Sequence, residues 1–168
     1  EDGAIVPAYT WTNSTSGSAL GTGAQLQLLP SLASPGDMVQ CDAVATDSAG
    51  ASVSASASVE IGNTEPAFSV EAVVAPASGV LTGTLLECAA TADDADGDVP
   101  SVAYSWSVAG SEIATGDQYT VDAGETDPGD SVHCTATATD AHGGTAESSD
   151  SVSVDNSPPV ITGLALDP

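Results

Sequence analysis

Asp93-Asp94-Ala95-Asp96-Gly97-Asp98 packs four carboxylates around one glycine. Closely spaced carboxylates with a glycine between them can fold round one hard cation, and oxygen ligands at about 2.3–2.6 Å are what Ca²⁺ accepts. The run is not an EF-hand, because no Glu follows at the required distance and no helical pattern flanks it. The competing reading is a solvated acidic turn, with Asp and Gly serving turn chemistry alone. His133 and His142 are the only histidines. Zinc would need further nitrogen or sulfur ligands converging on them, and the three cysteines form no Cys-x-x-Cys pair. Serine is abundant, but no Gly-x-Ser-x-Gly elbow offers a nucleophile. The expectation is a protein that is not an enzyme. Asn13-Ser14-Thr15 has the form of a glycosylation sequon, a triplet that also arises by chance.

Charge narrows the partners. The chain has no Lys or Arg against 24 Asp and Glu, a formal charge of −24. Without a basic patch, the electrostatic term that drives nucleic-acid binding is missing. An anionic membrane surface repels such a chain for the same reason. Mutual repulsion of the carboxylates opposes compaction unless ions screen it or cations bind. A salty or calcium-containing exterior fits that requirement, as does a surface that has shed its basic residues for solubility or protease resistance. Cysteine in a β-patterned chain without thiol-chemistry motifs points to an oxidising compartment. No apolar run is long enough to span a bilayer. A secreted reading requires an export signal outside these residues or already removed.

The elements that must position these groups come from an internal repeat. Tyr9-Thr10-Trp11 matches Tyr104-Ser105-Trp106 at a spacing of 95. Pro35-Gly36-Asp37 through Cys41 matches Pro128-Gly129-Asp130 through Cys134 at 93, and Asn63 to Pro66 matches Asn156 to Pro159 at the same interval. Residues 1–62 then form a module lacking its first two strands, 63–155 a complete module, and 156–168 the first strand of a following one. Cys41 stands where Cys134 stands, and its partner would lie in a strand this sequence does not contain. Either the chain is a window on a longer array, which is favoured, or another copy supplies the missing strands. The tail 156–168 offers only a first strand, not a cysteine-bearing second.

Alternation assigns the strands. In the complete module they run over 67–74, 84–91 and 102–106, with short strands near Ile113 and over 118–121, then 131–138 and 145–154. Phe68, Val70, Ala72 and Val74 share one side of the first. Ala109-Gly110 makes a hairpin turn, and Asp127-Pro128-Gly129-Asp130 a second turn in which Pro presets φ. The first module repeats the later part over 8–12, 25–29, 38–45 and 51–61. No segment has a convincing helical period, so the chain is expected to be all-β.

Cys88, Trp106 and Cys134 lie 18 and 28 residues apart, each inside an alternating run. This pattern resembles an immunoglobulin-like sandwich, where a Trp packs on a disulfide joining two sheets. Val132 and Val39 stand where antibody domains often place a Tyr, which argues against an antibody-type relative. The set Asn63–Pro66, Cys88, Asp93–Asp98, Tyr104–Trp106 and Gly129–Cys134 resembles the tandem Ig-like, cadherin-like and PKD-like repeats of very large bacterial surface proteins. The resemblance implies tandem Ig-like β-sandwich modules, a Cys88–Cys134 disulfide, and small cores built on Trp11 and Trp106. In such a module the loop after the second strand and the loop of Asp140 lie at the end approached by Asn63, Thr64 and Glu65. A calcium ion held by some of Glu65, Asp94, Asp96, Asp98 and Asp140 would then stiffen the junction. The first module keeps only Glu1-Asp2-Gly3 there.

The function this implies is structural. Modules stapled by disulfides would join head to tail into an extracellular stalk, filament or adhesin shaft, as a homopolymer or a long tandem array. The alternative is a carbohydrate- or receptor-binding adhesion module. Exposed aromatics clustered at one end would favour it, but Tyr and Trp here fall mostly in strands.

Overall fold

The computed structural model describes residues 5–161 and 163. Among them there is no helix, and the strands form three antiparallel sheets, so the chain is all-β. It divides into two compact units. The first comprises the residues up to Glu65 together with Asp94–Asp98 and Ala141–Gly144; the second comprises Pro66–Asp93, Val99–Asp140 and the chain from Thr145 onward.

In the second unit β5 (Ala67–Ala75), β6 (Leu85–Asp93) and β9 (Gln118–Thr120) form one sheet in the order β5-β6-β9. A second sheet, in the order β11-β10-β7-β8, contains β7 (Ser101–Val108), β8 (Ser111–Thr115), β10 (Ser131–Thr139) and β11 (Thr145–Ser153). Side chains alternate faces along a strand, and β10 follows that rule throughout. Val132, Cys134, Ala136 and Ala138 are fully buried, while His133, Thr135, Thr137 and Thr139 take the other face. Val132, Cys134 and Ala136 join Ala72, Val74, Leu86 and Cys88 of the facing sheet in one core around Trp106. Trp106 is fully buried; its ring centroid lies 5.8 Å from that of Tyr119, and its indole N–H donates to the Gly116 carbonyl at 2.9 Å. A buried indole N–H needs such a partner.

Polar contacts tie the two sheets as well. The Ala72 N–H donates to Ser148 Oγ and the Val74 N–H to Asp150 Oδ2, both at 2.8 Å. Tyr104 of β7 accepts at its hydroxyl from the Ala90 N–H of β6, at 3.1 Å. Val70 departs from the expected inward row. The β5–β6 register shifts on both sides of it, and it is 53% exposed. A bulge adds a residue to one strand and re-aims its side chains.

The first unit holds one sheet, in the order β2-β1-β3-β4. Its strands are β1 (Ala8–Asn13), β2 (Ser18–Thr22), β3 (Met38–Thr46) and β4 (Ser52–Glu60). Its bonded framework matches that of the second unit. Trp11 pairs with Cys41 across β1 and β3, as Trp106 pairs with Cys134 across β7 and β10. The Trp11 indole N–H donates to the Gly23 carbonyl at 2.8 Å, matching Trp106 and Gly116. Gly36 N–H donates to Ile61 O and Gly129 N–H to Val154 O, each at 2.8 Å. The backbone N–H groups of Ser34 and Asp127 donate to the carboxylates of Asp37 and Asp130 at 3.0 and 2.9 Å.

Residues 25–29, expected as a strand, are not one, while β2, absent from the expected strands, pairs with β1. The reason is pairing. The matching β9 exists by bonding to Leu85, Leu86 and Glu87 of β6, and among the described residues the first unit has no counterpart of β6. Residues 156–161 form no strand, and the remainder of the tail expected to open a following module lies outside the described residues apart from Gly163.

Two substitutions test this framework. Ala109 has φ +49° in the β7–β8 turn, followed by Gly110 at +82°. Both central residues of such a turn need positive φ, which Asn tolerates and Ala resists. Ala109→Asn is expected to stabilise the protein by about 0.5–1 kcal/mol, read as a raised midpoint in thermal denaturation. Asp37 has its pKa held below 3.8 by the Ser34 N–H first and the Asn13 amide second, against a smaller opposing effect of burial. Its folded value is depressed, so its contribution to stability is present above the unfolded value and lost as pH falls through the lower folded one. Asp37→Asn should weaken protection of β3 and β4 amides at neutral pH and flatten the acid limb below about pH 4, as measured by hydrogen exchange.

Candidate functional site

The acidic loop between β6 and β7 folds through its own side chains. Asp94 Oδ1 accepts from the Asp96 N–H at 2.7 Å, and the Gly97 N–H donates to the Asp94 carbonyl at 3.3 Å. This Asx-type closure explains the Asp at 94. Gly97 follows from its φ of +87°, which disfavours a side chain. Asp96 binds Thr64 twice: Oδ2 accepts from its N–H at 2.6 Å and Oδ1 from its hydroxyl at 3.3 Å. Asp98 Oδ2 lies 3.5 Å from His142 Nε2, within ion-pair range, yet without the alignment of a hydrogen bond. Asp94 Oδ2 and Asp98 Oδ2 are thus buried oxygens without a hydrogen-bond donor. Such atoms call for an explanation, because desolvation of an unpaired carboxylate oxygen is costly.

The expected ligand set is only partly assembled. Asp94, Asp96 and Asp98 share one loop of the first unit. Glu65 belongs to that unit and is exposed. Asp140 belongs to the second unit, where it follows β10 and is buried. No group of three or more His, Cys, Asp or Glu side chains suited to a metal ion occurs among the described residues. Both oxygens of Asp96 accept from Thr64, whereas Asp94 Oδ2 and Asp98 Oδ2 accept no hydrogen bond. Carboxylate oxygens are ligands that hard cations such as Ca²⁺ and Mg²⁺ accept.

Cys88 and Cys134 form a disulfide, with Cα atoms 6.5 Å apart and a sequence separation of 46. It joins β6 to β10 beside Trp106, since Cys134 and Trp106 are register partners. Cys41 is a free, half-buried thiol. Trp11 is half-buried where Trp106 is fully buried.

Asn13 is a residue whose role its sequence context misstates. It is 2% exposed, its side-chain N–H donates to Asp37 Oδ2 at 2.8 Å, and its Oδ1 accepts from the Thr15 and Ser16 N–H groups. The amide nitrogen that a glycan would need is committed to a buried lock between β1 and the turn before β3. Sequence carries one clue: Asp37 lies in the repeated Pro-Gly-Asp turn, and its carboxylate needs a hydrogen-bond donor.

No protein-family model matches the chain, and no curated protein is similar to it in sequence.

Removing both disulfide sulfurs while keeping the core apolar, as in Cys88→Ala with Cys134→Ala, should cost about 2–4 kcal/mol by freeing the closed loop in the unfolded chain. Equilibrium urea unfolding of the variant and the parent checks the figure.

Proposed function

We propose that this chain is a piece of a structural extracellular protein, in which Ig-like β-sandwich modules repeat in tandem to form a stalk, filament or adhesin shaft. One observation carries the proposal. The Trp–Cys register, the Trp-to-Gly hydrogen bond and the Asp-anchored turn recur in both units at intervals of 93–95 residues. A bonded skeleton used twice in succession is what a repeat architecture reuses, and in such proteins the repeated unit itself is the functional part. Only six residues, 61–66, separate β4 from β5. The disulfide fits an oxidising exterior. No helix among the described residues is long and apolar enough to cross a membrane. Further copies of the module are the partners this reading requires.

Calcium enters through Asp94 and Asp98, whose buried Oδ2 atoms accept no hydrogen bond; a cation would satisfy Asp94 Oδ2 and would compete with His142 for Asp98 Oδ2. The ion would supply charge neutralisation and rigidity to the loop. Added Ca²⁺ should raise the thermal midpoint of the parent and leave Asp94→Asn/Asp98→Asn unmoved; an unchanged midpoint on chelation removes calcium from the reading.

Stretching single molecules tests the mechanical role. The chain should unfold cooperatively under load, and reduction should release roughly a further 150–165 Å of contour, the length of the 46-residue span between the sulfurs. Extension without a force peak overturns the shaft. Saturable binding to one glycan in an array would instead favour the adhesion module.

A further inference from the structure

The inner face of the first unit's sheet carries apolar side chains that its twin buries. Register partners make the match explicit. Val39, Cys41, Ala43 and Ala45 of β3 correspond to Val132, Cys134, Ala136 and Ala138 of β10. In the second unit all four are fully buried, the first three in the core shared with β5 and β6; in the first unit Val39 is buried, whereas Cys41, Ala43 and Ala45 are only half-buried. On neighbouring β4, Val53 is 70% and Val59 56% exposed, and Ala55 and Ala57 are exposed as well. The matching Val152 is buried and Ser148 nearly so. Pro7, Ala43, Ala45, Val53 and Ala55 line a shallow groove of about 160 Å³ on this face.

Three independent vacancies of pairing coincide there. Cys41 is a free thiol at the position whose twin is bonded to Cys88. Residues 25–29 lack strand structure where their twin, β9, gains it from β6. Trp11 is half-buried where Trp106 is sealed. One object removes all three: a strand pair of the β5–β6 kind. We propose that the open face of the first unit is a docking surface for a two-stranded, cysteine-bearing segment patterned as Ala67–Asp93, and that Cys41 is the acceptor of its inter-sheet disulfide. The occupant presents apolar residues where Ala72, Val74 and Leu86 stand, and its cysteine where Cys88 stands.

The first unit is adapted to such an occupant in its own way. Ala55 and Ala57 replace Ser148 and Asp150, the side chains that accept from β5 in the second unit. The docked pair is therefore held by apolar burial, by edge pairing with residues 25–29 and by the disulfide, without those two hydrogen bonds. In the covalent step the two thiols give up two protons and two electrons to a disulfide-bearing oxidant. One S–S bond forms, the oxidant's S–S bond breaks, and the oxidant leaves as thiols.

The proposal rests on the matched frameworks and not on the shaft role, so the two fail separately. A variant carrying an added copy of residues 66–95 ahead of Glu1, with the full chain otherwise intact, provides the segment at high effective concentration. In a glutathione redox buffer Cys41 should lose its reactivity toward iodoacetamide. Peptide mapping with an Asp-specific protease should join it to the added copy of Cys88, with Cys88–Cys134 retained. Amides of residues 25–29 should gain exchange protection, including when the added cysteine is replaced by serine, and should lose it again with Val53→Asp/Val59→Asp. Cys41 remaining fully alkylatable in the extended chain overturns the proposal. So does parent protein that forms a Cys41–Cys41 dimer with residues 53 and 59 protected, since a second copy of the same face would then be the occupant.

Discussion

Everything in the second unit depends on the crossing point where Trp106 and Cys134 are register partners and Cys88 reaches Cys134 from the facing sheet. Aromatics make up only 4% of the chain, so a core this small has few large side chains to exclude water with. The indole fills the centre, Tyr119 packs against it, and small residues on β10 let the sheets approach. A core poor in volume gains from a covalent tie, because the tie acts on the unfolded chain and does not require more buried area. Burial pushes the Tyr119 hydroxyl above its usual pKa, with Glu125 adding to the same direction against the opposing Asp122 N–H. Even the polar rim of this core is thus dry enough to disfavour charge.

Much of this was legible in the sequence because period-2 patterning and turn chemistry are local. Val132, Cys134, Ala136 and Ala138 announced their face by alternation, and Pro-Gly-Asp announced its turn. What alternation cannot carry is pairing. Residues 25–29 have a strand's composition and no strand to bond, so they form none, while Ser18–Thr22 pairs with β1 across a tight turn. Val70 sits in an apolar row but lies at a register shift, a feature set by two strands together. The acidic loop was visible as a cluster of carboxylates. Its internal bonding was not, since Asp96 is claimed by Thr64, 32 residues away.

The absence of basic side chains shapes how polar groups are satisfied. With no Lys or Arg in the chain, carboxylates turn to backbone N–H groups, amides and hydroxyls. Asp37 takes Ser34 N–H and the Asn13 amide, Asp130 takes Asp127 N–H, and Asp150 takes Val74 N–H. These bonds are directional and short-ranged, so salt that screens the net charge leaves them intact. The acidic residues therefore act locally as acceptors that define turns and sheet contacts, and collectively as a source of repulsion.

The outer edge of β4 gives that repulsion a specific task. Nine exposed residues, Ser-Val-Ser-Ala-Ser-Ala-Ser-Val-Glu, end the sheet with small side chains, and a single terminal Glu60 is their only charge. An edge of this kind is a ready template for strand addition, and proteins commonly guard such edges with lysine or proline. Neither residue is present along β4. Its guard is the net charge of the molecule as a whole, which acts over about 8 Å at physiological ionic strength. Colloidal behaviour is consequently delegated to the medium: brine or divalent ions would unlock zippering along a border that dilute buffer keeps apart.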